Sequence, residues 1–149
     1  GEDLLVINEK GQIIDPLPGQ KPSAETEIHT AVYALLPEVS CVMHSHSVLA
    51  TWLSRKHLPE GSLKFSGWEI LKGLEGNQTH EMTELLPIVP NSQSMPDILQ
   101  SMQRYWSQPI HGFLIAGHGL YTWGRTVAEA KRHIETFEVL FQLHHMGKI

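Results

Sequence analysis

The apolar positions of this chain change period along its length, and the changes mark its elements. Leu4–Asn8 and Gln12–Ile14 flank Glu9–Lys10–Gly11 in the pattern of a hairpin, with strand character from about Asp3 onward. A chain that opens in mid-pattern is expected to lack the first elements of its domain. Three prolines and a glycine make 15–22 a loop. Ile28, Val32, Leu35 and Leu36 then recur at helical spacing. They predict a helix over 24–36, with Ser23 as N-cap and Pro37 ending it. Cys41–Ser47 reads as a short buried strand, so His44 and His46 share one face and Ser45 takes the other.

Downstream, Val48–His57 is expected to be helical, with Leu49, Trp52 and Leu53 on one side. A turn over 58–61 and a short strand at Leu63–Phe65 follow. Ser66 and Glu69 have the spacing of a capping box opening a short helix. Leu85–Pro90 carries two prolines and reads as an edge or terminal strand. Ser94 and Asp97 are expected to cap a helix with Ile98, Leu99, Met102 and Tyr105 on its apolar side. Gly112–Ala116 is a buried strand, Gly117–His118–Gly119 breaks it, and Leu120–Trp123 resumes as its partner. Thr126 and Glu129 open a long helix to about His144. Strands and helices are mixed without regular alternation. The fold class is therefore α/β, with a mixed, mainly antiparallel sheet covered by helices.

Composition narrows the function. The 149 residues fit a single domain, and 41% hydrophobic against 18% charged residues describe a folded globular protein. A net charge of −5 argues against nucleic acid or an anionic membrane as partner. No apolar run approaches the roughly 20 residues of a membrane helix. The single cysteine, Cys41, excludes an intrachain disulfide and fits a reducing, cytoplasmic compartment.

Ten histidines are many for this length. Two imidazoles on one strand face, with His118 freed by a glycine on each side, form a candidate site for zinc or a similar first-row ion. Three ligands leave a position open for substrate, as catalytic sites do. Cys41 faces away from His44 by strand parity and is a poor fourth ligand. The other histidines have ordinary places on amphipathic helices, at a helix end or beside turns. A cupin also uses His-x-His, but the helical, acid-free 48–57 that follows argues against it. On spacing alone Glu25 is a first-turn carboxylate suited to the helix dipole, and Glu69 a capping carboxylate.

Taken together, Pro22–Ser23–Ala24–Glu25, the helix with Tyr33, Val42–Ser47 and Gly117–His118–Gly119–Leu120 resemble the class II aldolase/adducin family. Gly67–Gly73 and His118–Gly124 are similar to its dehydratase branch, which removes water from 5-methylthioribulose 1-phosphate in methionine salvage. The resemblance implies a three-layer α/β/α fold, one zinc per subunit held by His44, His46 and His118, and a homotetramer with active sites between subunits. It implies Glu69 as the acid/base of the dehydratases, and Glu25 as the residue that does this work in the aldolases. Ser23, Glu25 and Lys72 are expected to meet the sugar phosphate, although a solvated lysine and a plain cap also explain Lys72 and Ser23. The family's phosphate-binding Gly/Ser/Asn loop would precede Gly1. An aldolase, or a non-catalytic adducin-like interaction domain, are the alternatives; the full histidine set speaks against the latter.

Overall fold

Side-chain alternation on two neighbouring strands sets the layering. In β4 (Gly112–Ile115) Phe113 and Ile115 face one way and Leu114 the other. In β5 (Gly119–Gly124) Tyr121 and Trp123 join the Phe113 face and Leu120 joins Leu114. Both strands are buried throughout, so both faces must be covered. The structure of the protein is a computed structural model that describes residues 4–147. Among these, five strands form one sheet in the order β1-β5-β4-β3-β2, with β1 at Cys41–Ser45, β2 at Ser62–Phe65 and β3 at Glu84–Val89. Only β3 and β4 run parallel.

Helices α1 (Thr26–Leu35) and α3 (Met95–Met102) lay Ile28, Val32, Ile98 and Met102 on the Phe113 face. Helices α2 (Val48–Lys56) and α4 (Val127–Met146) lay Leu53, Phe137, Leu140 and Phe141 on the other. Each such side chain contributes about 1.5–3 kcal/mol of burial. The result is the three-layer α/β/α arrangement, with a mixed, mainly antiparallel sheet. Thr126 accepts the Glu129 amide at 3.1 Å, as its capping-box spacing predicts. Among the described residues no helix is long and apolar enough to cross a membrane.

Several local expectations are corrected. Helix α1 begins at Thr26, and Ser23 does not cap it. The Ser23 hydroxyl instead accepts the Glu25 amide at 3.2 Å in a local turn, and Glu25 takes the N-cap position. The proline-bearing strand is interior, between β4 and β2. Ile88 N–H points toward the β2 side, to Gly61 O at 2.9 Å, so the donor missing at Pro87 would point toward β4, whose pairing starts only at Ile88. Ser66 does not cap Glu69; the segment is a 3-10 turn, Glu69–Gly73, with no side-chain cap. Nor does the Ser94 side chain cap α3: the Asp97 amide donates to the Ser94 carbonyl at 3.2 Å, and the Asp97 carboxylate accepts the Ser92 hydroxyl at 3.1 Å. Trp52 lies half exposed under Lys56, while Ala50, Leu53 and Ser54 are the buried residues of α2. Of the first hairpin one bridge forms, Ile7 with Ile13; Asp3 lies outside the described residues.

Two polar features complete the frame. On the open side of edge strand β1, the Val42 amide donates to the Tyr33 phenol oxygen at 3.1 Å. Just before β4, His111 places Nδ1 3.0 Å from Glu84 Oε2 and Nε2 2.7 Å from Glu75 O. Acceptors at both ring nitrogens call for an imidazolium. Burial works against that charge. The Glu84 hydrogen bond and charge, with help from Glu75, outweigh it and hold the His111 pKa above the ordinary imidazole value. Its neighbour His133, 5.2 Å away between ring centres, donates from Nδ1 to Trp123 O and accepts the Glu75 amide, and is neutral.

Candidate metal centre

Three elements bring the candidate ligands together. His44 lies in β1, and His46 is one residue beyond its end. Strand β4 ends at Ile115, and the turn to β5 carries His118. The sheet order places β1 directly beside β5, so the two histidine sources meet at one end of that pair. Gly117 turns the chain at φ +68, a conformation that favours glycine. Gly119 allows β5 to approach β1: a Cβ there would lie 2.1 Å from Ser45 O. Helix α2 holds the turn from outside. Thr51 Oγ1 donates to His118 O at 3.0 Å, and Ser54 Oγ accepts the Gly117 amide at 3.0 Å.

The imidazoles converge on one point. His44 Nε2 and His46 Nε2 are 2.6 Å apart. Glu25, from the N-terminal end of α1, puts Oε1 at 2.8 Å from His118 Nε2, 3.5 Å from His44 Nε2 and 3.9 Å from His46 Nε2. One ligand atom from each of these four residues lies within 4.8 Å of the others. His44 Nδ1 lies 2.9 Å from Leu120 O and donates to it, leaving Nε2 with its lone pair toward the cluster. Burial lowers the His44 pKa, and the neighbouring imidazoles add to that against the Leu120 carbonyl and Glu25. The neutral form is the one that binds a metal. Three crowded imidazole nitrogens facing a carboxylate fit a cation between them. Zinc–nitrogen bonds of about 2.0–2.1 Å put tetrahedral ligand nitrogens roughly 3.3 Å apart, a spacing of the same order as that of the four ligand atoms here.

Of the residues singled out from sequence, His44, His46, His118 and Glu25 are brought together. Ser23 sits two residues before Glu25 at the α1 entrance. Glu69 and Lys72 are elsewhere: they pair with each other, with His80 Nδ1 3.7 Å from Glu69. The Glu69 carboxylate is exposed, and the pairing with Lys72 holds its pKa below the usual carboxylate value. Their segment leaves the sheet after β2, at the edge opposite β1. Sequence reasoning missed Thr51, Ser54 and the Leu120 carbonyl. No spacing in the sequence announces contacts between α2 and a turn more than 60 residues away.

The family described as "Class II Aldolase and Adducin N-terminal domain" matches residues 1–145. A methylthioribulose-1-phosphate dehydratase from Picosynechococcus sp. is 44% identical over 142 residues, covering 95% of this chain and 67% of its own. One from Stenotrophomonas maltophilia is 44% identical over 147 residues, covering 94% and 65%. The chain thus spans about two thirds of the length of these curated relatives. Among solved structures, an L-fuculose 1-phosphate aldolase superposes with TM-score 0.76 at 14% identity, over 98% of this chain and 62% of that one, which shows a shared fold. With the matched family, the relatives and the imidazole cluster in agreement, this chain belongs to the class II aldolase/adducin family.

Proposed function

We propose that the protein is a zinc-dependent hydro-lyase that converts 5-methylthioribulose 1-phosphate to 2,3-diketo-5-methylthiopentyl 1-phosphate, a step of methionine salvage. The observation that carries this reading is 44% identity to curated methylthioribulose-1-phosphate dehydratases over nearly the whole chain. A divalent cation held by His44, His46 and His118 would supply Lewis acidity at the substrate ketone and its neighbouring hydroxyl. Glu25, beside the imidazoles, meets the substrate oxygens there. Glu69 takes the proton from C3 as a carboxylate, the form its lowered pKa favours. The electron pair forms the C3–C4 double bond, and the C4 hydroxyl leaves as water with the proton returned by Glu69. The resulting enol tautomerises to the diketone. Ser23 at the α1 entrance and Lys72 bind the phosphate.

Glu69 is exposed and outside the imidazole group, so it serves the metal centre of a neighbouring copy in a cytoplasmic homotetramer with active sites between subunits. Mixing two inactive variants tests this. His118→Ala and Glu69→Gln tetramers, dissociated and reassembled together, regain activity if the two residues act across subunits. No recovery in verified mixed tetramers refutes that arrangement.

One observation favours a second reading, an aldolase cleaving the C3–C4 bond: Glu25, the residue that acts in the aldolases, stands among the imidazoles. Product analysis separates the two. A diketone retaining all carbons supports the dehydratase; dihydroxyacetone phosphate plus an aldehyde supports the aldolase.

A further inference from the structure

Register places three residues in line across the sheet. His44 of β1 is the direct partner of Tyr121 in β5, and Tyr121 is the direct partner of Phe113 in β4. All three lie on one face, and their rings stack. Phe113 and Tyr121 are 5.2 Å apart and within 8° of parallel; Tyr121 and His44 are 4.0 Å apart and within 18°. Phe113 and Tyr121 are fully buried, and His29 packs against Tyr121 in a T-shaped contact, 5.5 Å between ring centres. The pile thus runs from the core to the first imidazole of the metal cluster.

The Tyr121 hydroxyl is buried and has no hydrogen-bond partner among the described residues. Burial, with the Glu25 charge behind it, pushes the phenol pKa up, so the hydroxyl stays protonated. An unpartnered hydroxyl contributes no hydrogen bond to the fold. What the position uses is the flat ring.

We infer that Tyr121 is a positioning residue for the metal centre, its ring fixing the plane of the His44 imidazole. With Nδ1 tied to Leu120 O, one contact sets the ring's direction and the other sets its tilt. Together they aim Nε2 before a cation arrives, and preorganisation of this kind appears as affinity. The inference rests on the metal reading of the cluster.

The test is cobalt(II) titration of the full chain, reading both affinity and the visible ligand-field spectrum. Tyr121→Phe keeps the ring and is expected to bind within twofold of the parent. Tyr121→Met fills the space without a flat face and is expected to bind at least tenfold more weakly, with an altered spectrum. Trp123→Met, on the same strand and face but paired across the strands with Val42 rather than His44, is the control and is expected to bind as the parent does. Parental affinity and spectrum in Tyr121→Met overturn the proposal, as does an equal loss in Trp123→Met or a tenfold loss in Tyr121→Phe. Should Tyr121→Met not fold, Phe113→Met decides in its place: weakened binding supports the stack, and parental binding overturns it. If the parent itself binds no cobalt, the metal reading fails first and takes this inference with it.

Discussion

Replacing His111 by alanine tests how much of the frame rests on one buried charge pair. The substitution removes the imidazolium facing Glu84, whose carboxylate is 2% exposed, and the 2.7 Å hydrogen bond to Glu75 O. Breaking a buried pair by deleting one partner costs about 3–5 kcal/mol. The amide of residue 111 still donates to Glu84 at 3.2 Å, and the His111 side chain is 17% exposed, so the low end, about 3 kcal/mol, applies. For a domain of this size that lowers Tm by roughly 6–12 °C. The sign with pH follows from the raised pKa. Stabilisation by His111 is full below the unfolded imidazole value, about 6.5, and is lost as pH rises through the higher folded value. The groups facing His111 are Glu84, Glu75 with its partners Arg125 and Arg132, and neutral His133. Thermal unfolding of parent and variant, both metal-free, from pH 5.5 to 9 reads the difference directly. The gap should be widest at the acid end and narrow toward pH 9. Adding Glu84→Gln to the variant should recover part of the loss, because no buried carboxylate then lacks its partner. A gap below about 2 °C, or one that widens with alkali, refutes the reasoning.

Two other perturbations act on the cluster itself. His118→Ala removes one of three imidazoles and should lower zinc affinity at least tenfold, read by competition with a chromogenic chelator; unchanged affinity removes His118 from the ligand set. Gly119→Ala drives a Cβ against Ser45 O and His46, so about 3 kcal/mol of stability should go with metal affinity, measured by denaturant unfolding and the same competition. A fully stable variant would mean that β1 and β5 separate at no cost.

The fold was readable wherever one periodicity ran unbroken. Phe113–Ile115 and Leu120–Trp123 alternate as strands must, and the faces they define sort into two separate cores. His44 and His46 converge as strand parity demands. Capping boxes were less dependable. Thr126 accepts the Glu129 amide, but the Glu129 carboxylate takes the amide of Arg125 rather than that of Thr126; Ser66 and Ser94 make no side-chain cap, and the Asp97 amide donates to the Ser94 carbonyl instead. The arrival of Glu25 among the imidazoles could not be read from spacing, since it depends on how the start of α1 docks against β1 and the 116–118 turn. The same holds for the Tyr121 stack, which exists only in the register that sets His44 opposite it.

The phenol of Tyr33 has a consequence for how this domain behaves among its neighbours. Strand β1 bears His44, leads into His46, and among the described residues has a strand partner on one side only. An exposed strand amide there would invite an extended segment of another molecule to add itself, dragging the ligands out of line. By occupying the Val42 donor, a side chain from α1 withdraws one such amide, so the helix that delivers Glu25 also covers part of the open edge of the histidine strand.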